Sequence, residues 1–203
     1  MIKSVLASAA LCSAFSAFAA TDLVSDGSFE SVAVDAGTFA DFAAIAGWTA
    51  TSGSIEVRDA DVGTAADGIN YVELDSTANS AMSTTLATVA GETYTLSFRY
   101  SNRADGVAVD SNGLSYDVGA GAVAVPVAAE NTGSDNAWTL YTTTFTATSA
   151  TTTLSFAATG TSDSFGSSLD DVSVTSVVPE PATMAMMAAG VLTLLGIGRR
   201  RRD

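Results

Sequence analysis

The residues best equipped for chemistry are two carboxylates, a tyrosine and a few arginines. Tyr71, Glu73 and Asp75 alternate along one stretch, with Val72 and Leu74 between them. Alternate residues of an extended strand share a face, so this spacing sets an aromatic ring beside two carboxylates. Such a face suits a sugar. The ring stacks on the apolar side of a pyranose, and the carboxylates accept hydrogen bonds from its hydroxyls. Arg99 and Arg103 add donors from a neighbouring strand or loop. An ordinary polar outer face has the same spacing. Two carboxylates at i and i+2 are also near the ~5 Å separation of a retaining glycosidase. No feature of the sequence marks either as a proton donor, so hydrolysis is the lesser reading.

Other chemistries lack their residues. The chain has no histidine, which removes Ser-His-Asp triads, Cys-His pairs, HExxH zinc sites and most transition-metal sites. Its single cysteine, Cys12, lies in the N-terminal apolar segment, so residues 20–178 hold no thiol and no disulfide. Asp59-Ala60-Asp61-Val62-Gly63 looks like the start of an EF-hand. Gly63 comes one position early, however, and Asn70 stands where the final glutamate belongs. That stretch reads as a solvated acidic loop.

The ends of the chain read as addresses. Met1-Ile2-Lys3 is a short basic start, an Ala/Ser-rich apolar run follows, and Ala17-Phe18-Ala19 is an A-x-A cleavage site before Ala20. Residues 1–19 are therefore expected to be a signal peptide, removed by signal peptidase. A lipoprotein anchored through Cys12 is the alternative, but Leu11 is too large for that processing. At the other end, Pro179-Glu180-Pro181 precedes an uncharged apolar run over 182–198, then Arg199, Arg200, Arg201 and Arg202. As a helix that run is roughly 26 Å long, near a membrane span once the arginines snorkel. The arginines should stay cytoplasmic, which leaves the main domain outside.

A plain single-pass anchor would account for the helix and the arginines. The three-part order over 179–203 resembles the PEP-CTERM sorting signal, with Val178-Pro179-Glu180-Pro181-Ala182-Thr183 as its box. That resemblance implies recognition and cleavage near Pro179 to Pro181 by an exosortase-type enzyme of a Gram-negative bacterium. The chain would pass through an inner-membrane intermediate, then reach the cell surface or extracellular matrix. Such proteins accompany exopolysaccharide and biofilm production.

Removing the ends sharpens the charge balance. Lys3 and Arg199 to Arg202 are terminal, so the middle keeps Arg58, Arg99 and Arg103 against every acidic residue of the chain except Glu180 and Asp203. Nucleic acid and anionic membrane surfaces are poor partners for such a domain. A calcium ion or a saline exterior suits it better, and solubility alone would also explain it.

No long 3.6-residue apolar stripe occurs between 20 and 178, whereas period-2 alternation recurs. Tyr94, Leu96, Phe98 and Tyr100 fall on one face with Thr95, Ser97 and Arg99 on the other, and Leu154 and Phe156 repeat the pattern. Strands are expected at 55–58, 69–75, 82–88, 93–100, 114–118, 123–127, 138–147, 151–158 and 169–175. Gly/Asp/Asn/Ser clusters separate them. The fold class is all-β, a two-sheet jelly-roll sandwich over 20–178, flanked by a signal helix and a transmembrane helix. Trp48 and Trp138 are expected in its core.

The order of landmarks resembles the galactose-binding-like jelly roll, some carbohydrate-binding modules and a plant cell-wall family of uncharacterised domains. Asp26-Gly27-Ser28-Phe29-Glu30 opens, Gly47-Trp48 and Gly68-Ile69-Asn70-Tyr71 follow, and Leu169-Asp170-Asp171-Val172-Ser173-Val174 closes. The resemblance implies binding of sugar or cell-wall polymer. It also implies a structural Ca2+ where first and last strands meet, with Glu30 and Asp170 as ligands. Asp170 alternates with Val172 and Val174, so its carboxylate is expected to point inward, where it needs a partner or a metal. The functional expectation is a noncatalytic surface protein binding polysaccharide of the matrix or envelope. A structural or adhesive protein that binds proteins or itself is the alternative.

Overall fold

The computed structural model describes residues 21–127 and 130–177. The export segment with Ala17, Ala19 and Ala20 lies outside the described residues. So does the tail with Pro179, Glu180, Pro181 and Arg199 to Arg202, and with it both expected terminal helices.

Among the described residues the chain forms twelve strands: β1 (Thr38–Phe42), β2 (Ala44–Ile45), β3 (Trp48–Ser52), β4 (Ile55–Asp59), β5 (Asn70–Glu73), β6 (Ala81–Ala87), β7 (Thr93–Ser101), β8 (Leu114–Asp117), β9 (Val123–Ala124), β10 (Thr139–Thr146), β11 (Thr151–Ala158) and β12 (Ser168–Ser176). They build two six-stranded sheets, β1-β4-β5-β12-β7-β10 and β2-β3-β6-β11-β8-β9. All pairing is antiparallel, as in a jelly-roll sandwich.

Each strand expected from alternation is present. The 69–75 stretch is shorter than expected, and Ile69 is left outside it and exposed. The 123–127 stretch stops before Pro126, which lacks the N–H that pairing needs. Strands β1, β2 and β3 had no counterpart in the alternation reading. Most of their residues are exposed, so pairing with neighbours rather than burial of one face holds them.

The two sheets bury their inner faces against each other. Phe98 of β7 sits at the centre, with ring centroids 5.0 Å from Tyr141, 5.0 Å from Phe156 and 6.0 Å from Tyr116. Trp48 lies between Phe29 and Phe156 in this core, as expected. Trp138 does not: it is half-buried on the outside of the first sheet.

The opening turn lies across β12. The Val172 N–H donates to the Gly27 carbonyl at 2.9 Å, and the Leu23 N–H donates to that of Val174 at 2.8 Å. A Cβ at position 27 would sit 1.9 Å from the Val172 carbonyl oxygen, so only glycine fits. The register of β12 against β7 shifts between Asp170 and Ser173, and Asp171 adopts a φ of 51°. This bulge corrects the expected orientation of Asp170. The extra residue breaks its alternation with Val172 and Val174, so Asp170 stands opposite Arg99 on the outer face.

Replacing Phe98 with Ala should cost about 3–5 kcal/mol in denaturant unfolding. A loss below about 1 kcal/mol would mean that the core does not centre on this ring.

Candidate functional site

The outer face of the first sheet carries charge at its middle. Pairing of β4 with β5 sets Arg58 opposite Tyr71 and Glu56 opposite Glu73. Two carboxylates directly across a ladder repel. Arg58 separates them: its Nε donates to Glu56 Oε1 at 2.6 Å and lies 3.6 Å from Glu73 Oε2, while Nη1 reaches Asp61 at 3.0 Å. Arg103, from the loop after β7, donates through Nη1 to both oxygens of Glu73 at 3.2 and 3.0 Å. The Gly166 N–H adds a bond to Glu73 Oε1 at 3.0 Å. Burial pushes the Glu73 carboxyl up to about 7, against the lowering pull of both arginines.

A roof of loops covers this cluster. The Tyr71 hydroxyl donates to the Val62 carbonyl at 2.7 Å and accepts the Val62 N–H at 3.2 Å. Its ring meets Trp138 edge-on at 5.9 Å. Trp138 Nε1 donates to the Thr64 carbonyl at 2.9 Å, and Asp135 accepts both the N–H and the hydroxyl of Thr64. The acidic loop after β4, expected to be solvated, is thus knitted to the segment before β10.

The residues expected to contact sugar are therefore placed as follows. Tyr71, Glu73 and Asp75 come together, but each is at most 1% exposed. Their polar atoms face the roof and its loops rather than solvent. Arg103 joins them through Glu73. Arg99 stands apart, half-exposed, with Nε 3.2 Å from Asp171.

Glu73 and Asp75 instead hold one loop. Asp75 Oδ2 accepts the Asp163 N–H at 3.1 Å, and Glu73 takes that of Gly166. Between these two anchors the loop presents Phe165, 40% exposed, with the Arg103 guanidinium 4.9 Å from its ring centroid. Asp105 and Asp163, both exposed residues, belong to the same surroundings, and Asp163 Oδ2 accepts the Ser111 hydroxyl at 2.7 Å. Asp105 lies 3.7 Å from Arg103 Nε, and Asp163 Oδ1 accepts the Phe165 N–H at 3.3 Å. Sequence reasoning missed Phe165, Asp105 and Asp163. A lone aromatic inside Ser-Asp-Ser-Phe-Gly-Ser-Ser was the available signal, because a loop so polar has no core reason to hold it.

Glu30 and Asp170 grip the loop before β5 from two sides. Glu30 Oε1 accepts the N–H groups of Ile69 and Asn70, each at 2.8 Å. Asp170 Oδ2 accepts those of Ala66 at 2.7 Å and Asp67 at 2.9 Å, and Oδ1 accepts that of Asp171. Burial pushes the Asp170 carboxyl up to about 7 despite these bonds. Among the described residues no three acidic, histidine or cysteine side chains gather around a cation-sized space. Convergent amide N–H groups are an anion's surroundings, so the donor set at Glu30 and Asp170 does not fit Ca2+ as it stands.

The family described as "Protein of unknown function (DUF642)" matches residues 22–175, and the PEP-CTERM protein-sorting motif matches 177–202. No curated protein matches the chain. Among solved structures, an arabinose-bound MgGH51 α-L-arabinofuranosidase is 13% identical with a TM-score of 0.50; the match covers 76% of this chain and 26% of that one. A family 35 carbohydrate binding module from Clostridium thermocellum is 15% identical, with a TM-score of 0.44 and coverage of 68% and 97%. The CBM35 from Paenibacillus barcinonensis is 23% identical, with a TM-score of 0.40 and coverage of 68% and 98%. The arabinofuranosidase likeness carries the sandwich fold and nothing of activity, since this chain spans about a quarter of that enzyme.

Two measurements test this geometry. A carboxyl whose value in the fold exceeds its unfolded value, 4.5 for Glu73, binds its proton more tightly when folded. Its contribution to stability is complete below about 4.5 and declines as pH rises through about 7. The urea midpoint should therefore fall over that window in the native protein and fall less in Glu73→Gln; parallel profiles would place the shift elsewhere. Melting temperatures in excess calcium and in excess EDTA should coincide. A rise specific to calcium would mean that Glu30 and Asp170 exchange amide partners for a cation.

Proposed function

The chain belongs to the DUF642 family and carries a PEP-CTERM sorting motif, and we propose that it is an exported, exosortase-processed surface protein whose sandwich binds polysaccharide without catalysis. The acidic domain suits an exterior partner that is neither nucleic acid nor anionic lipid. The carboxylates spaced like a glycosidase pair, Glu73 and Asp75, are buried and committed to arginine and amide partners. Neither of that pair therefore faces a substrate as acid or base.

The observation that carries the sugar reading is the Phe165 ring. One side of it is backed by a guanidinium, and it stands partly in solvent, with Asp105 against that guanidinium and Asp163 on the Phe165 backbone N–H. An exposed aromatic plane with carboxylates in its neighbourhood suits a pyranose, which has a C–H face and equatorial hydroxyls. Glu73, Asp75 and Arg103 act here as positioning residues that fix the loop.

Affinity electrophoresis of the exported protein through gels holding a panel of neutral and acidic polysaccharides, the native exopolysaccharide included, tests this. Phe165→Ala should weaken retention roughly tenfold, about 1.4 kcal/mol, with an unchanged melting temperature. Retention indifferent to Phe165 would remove the assigned surface, and release of reducing ends would overturn the noncatalytic reading.

A further inference from the structure

The four sheet edges differ in how well they are protected. β2 and β9, the edges of the second sheet, are two residues each. β1, an edge of the first, is five residues long and carries Asp41. Short length and charge are the usual means of keeping an edge from pairing with another chain. β10, the remaining edge, has neither. It runs eight residues as Thr-Leu-Tyr-Thr-Thr-Thr-Phe-Thr, with no charge, proline or glycine. Among the described residues only β7 pairs with it.

A groove of about 320 Å³ lies beside this edge, between β10 and the β8–β9 turn. Tyr116, Val118, Val123 and Phe145 supply its apolar surface, threonines of β10 form its rim, and no charged residue lines it. Leu140 and Val123 are exposed large apolar side chains on β10 and β9.

We propose that β10 is a self-association edge, pairing antiparallel with β10 of a second copy so that the first sheets of the two molecules become continuous. Charge selects a second copy as the occupant. A domain with three arginines against its many acidic residues carries a net negative charge and repels its own kind at a distance. Two copies meet most closely through a strip without charge, and β10 with its groove is such a strip that also offers an edge for pairing. A basic partner would seek the acidic surface instead. Antiparallel pairing sets the threonine-rich middle of β10 against itself, a cross-strand match that β-branched residues favour. The two grooves then close against each other, removing Val123 and the groove walls from water.

Single-cysteine scanning of the full chain tests this, in a Cys12→Ser background so that the introduced thiol is the only one. Cysteines at Leu140, Thr142, Thr144 and Thr146 should form a homodimeric disulfide under mild oxidation. The yield should peak at one position near the two-fold axis and fall on both sides. A cysteine at Phe39 on β1 serves as the background control. Thr142→Lys with Thr144→Lys should weaken the dimer at least tenfold in sedimentation while leaving the melting temperature unchanged, because both threonines are exposed in the single molecule. Crosslinking along β10 no greater than at Phe39, a flat yield along the strand, or a dimer indifferent to the lysines would overturn the proposal.

Discussion

A carboxylate without water must be answered by something else, and much of this sandwich follows from how Glu73 is answered. The domain has three arginines, and two of them converge on this one side chain. Arg58 ties β4 to β5 beneath Glu73. Arg103 draws the loop after β7 inward, and the Gly166 amide brings in the loop before β12. Breaking a buried pair of this kind by removing one partner costs about 3–5 kcal/mol, although an apolar replacement of the whole cluster can be neutral. The cluster's role is thus better understood as geometric: three segments distant in sequence share one anchor, and Phe165 stands in solvent because that anchor holds its loop.

The same logic recurs with amides in place of guanidinium. Glu30, from the opening turn, and Asp170, from the last strand, each hold backbone N–H groups of the loop before β5. That loop is long and rich in small residues, none of them buried, so it cannot order itself by burying apolar surface. Two carboxylates near its end and the Thr64 contacts at its middle do so instead, and the outer face of the first sheet becomes a second, polar interior. A sorting motif follows the domain in sequence, a loop ring stands partly in solvent, and among the described residues the uncharged strand β10 pairs on one side alone.

Much of this architecture could be read from residue types. Tyr94, Leu96, Phe98 and Tyr100 mark β7 because a face buried against a second sheet needs period two, and Leu154 and Phe156 do the same for β11. Where the face is exposed, that signal disappears, which is why β1 to β3 were silent. At the site, spacing groups Tyr71, Glu73 and Asp75, and the structure sets all three beneath the same loops. Their burial was not legible, since alternation separates the two faces of a sheet without saying whether a loop covers the outer one. Asp170 shows a related limit: counting by two fails at a bulge, and Asp171 in a left-handed backbone conformation is where the count slips.

The amino-acid sequence alone determined the all-β class, the acidic character, the want of histidine and thiol chemistry in the domain, and the sorting motif, because each resides in composition or in neighbours along the chain. Tertiary structure alone decided which charges meet. Arg103 reaches Glu73, Gly166 closes the same carboxylate, and Trp138 leaves the core to cover Tyr71. Those pairings link segments far apart in sequence, and a buried charge chooses its partner by distance in space, a quantity that no local pattern encodes.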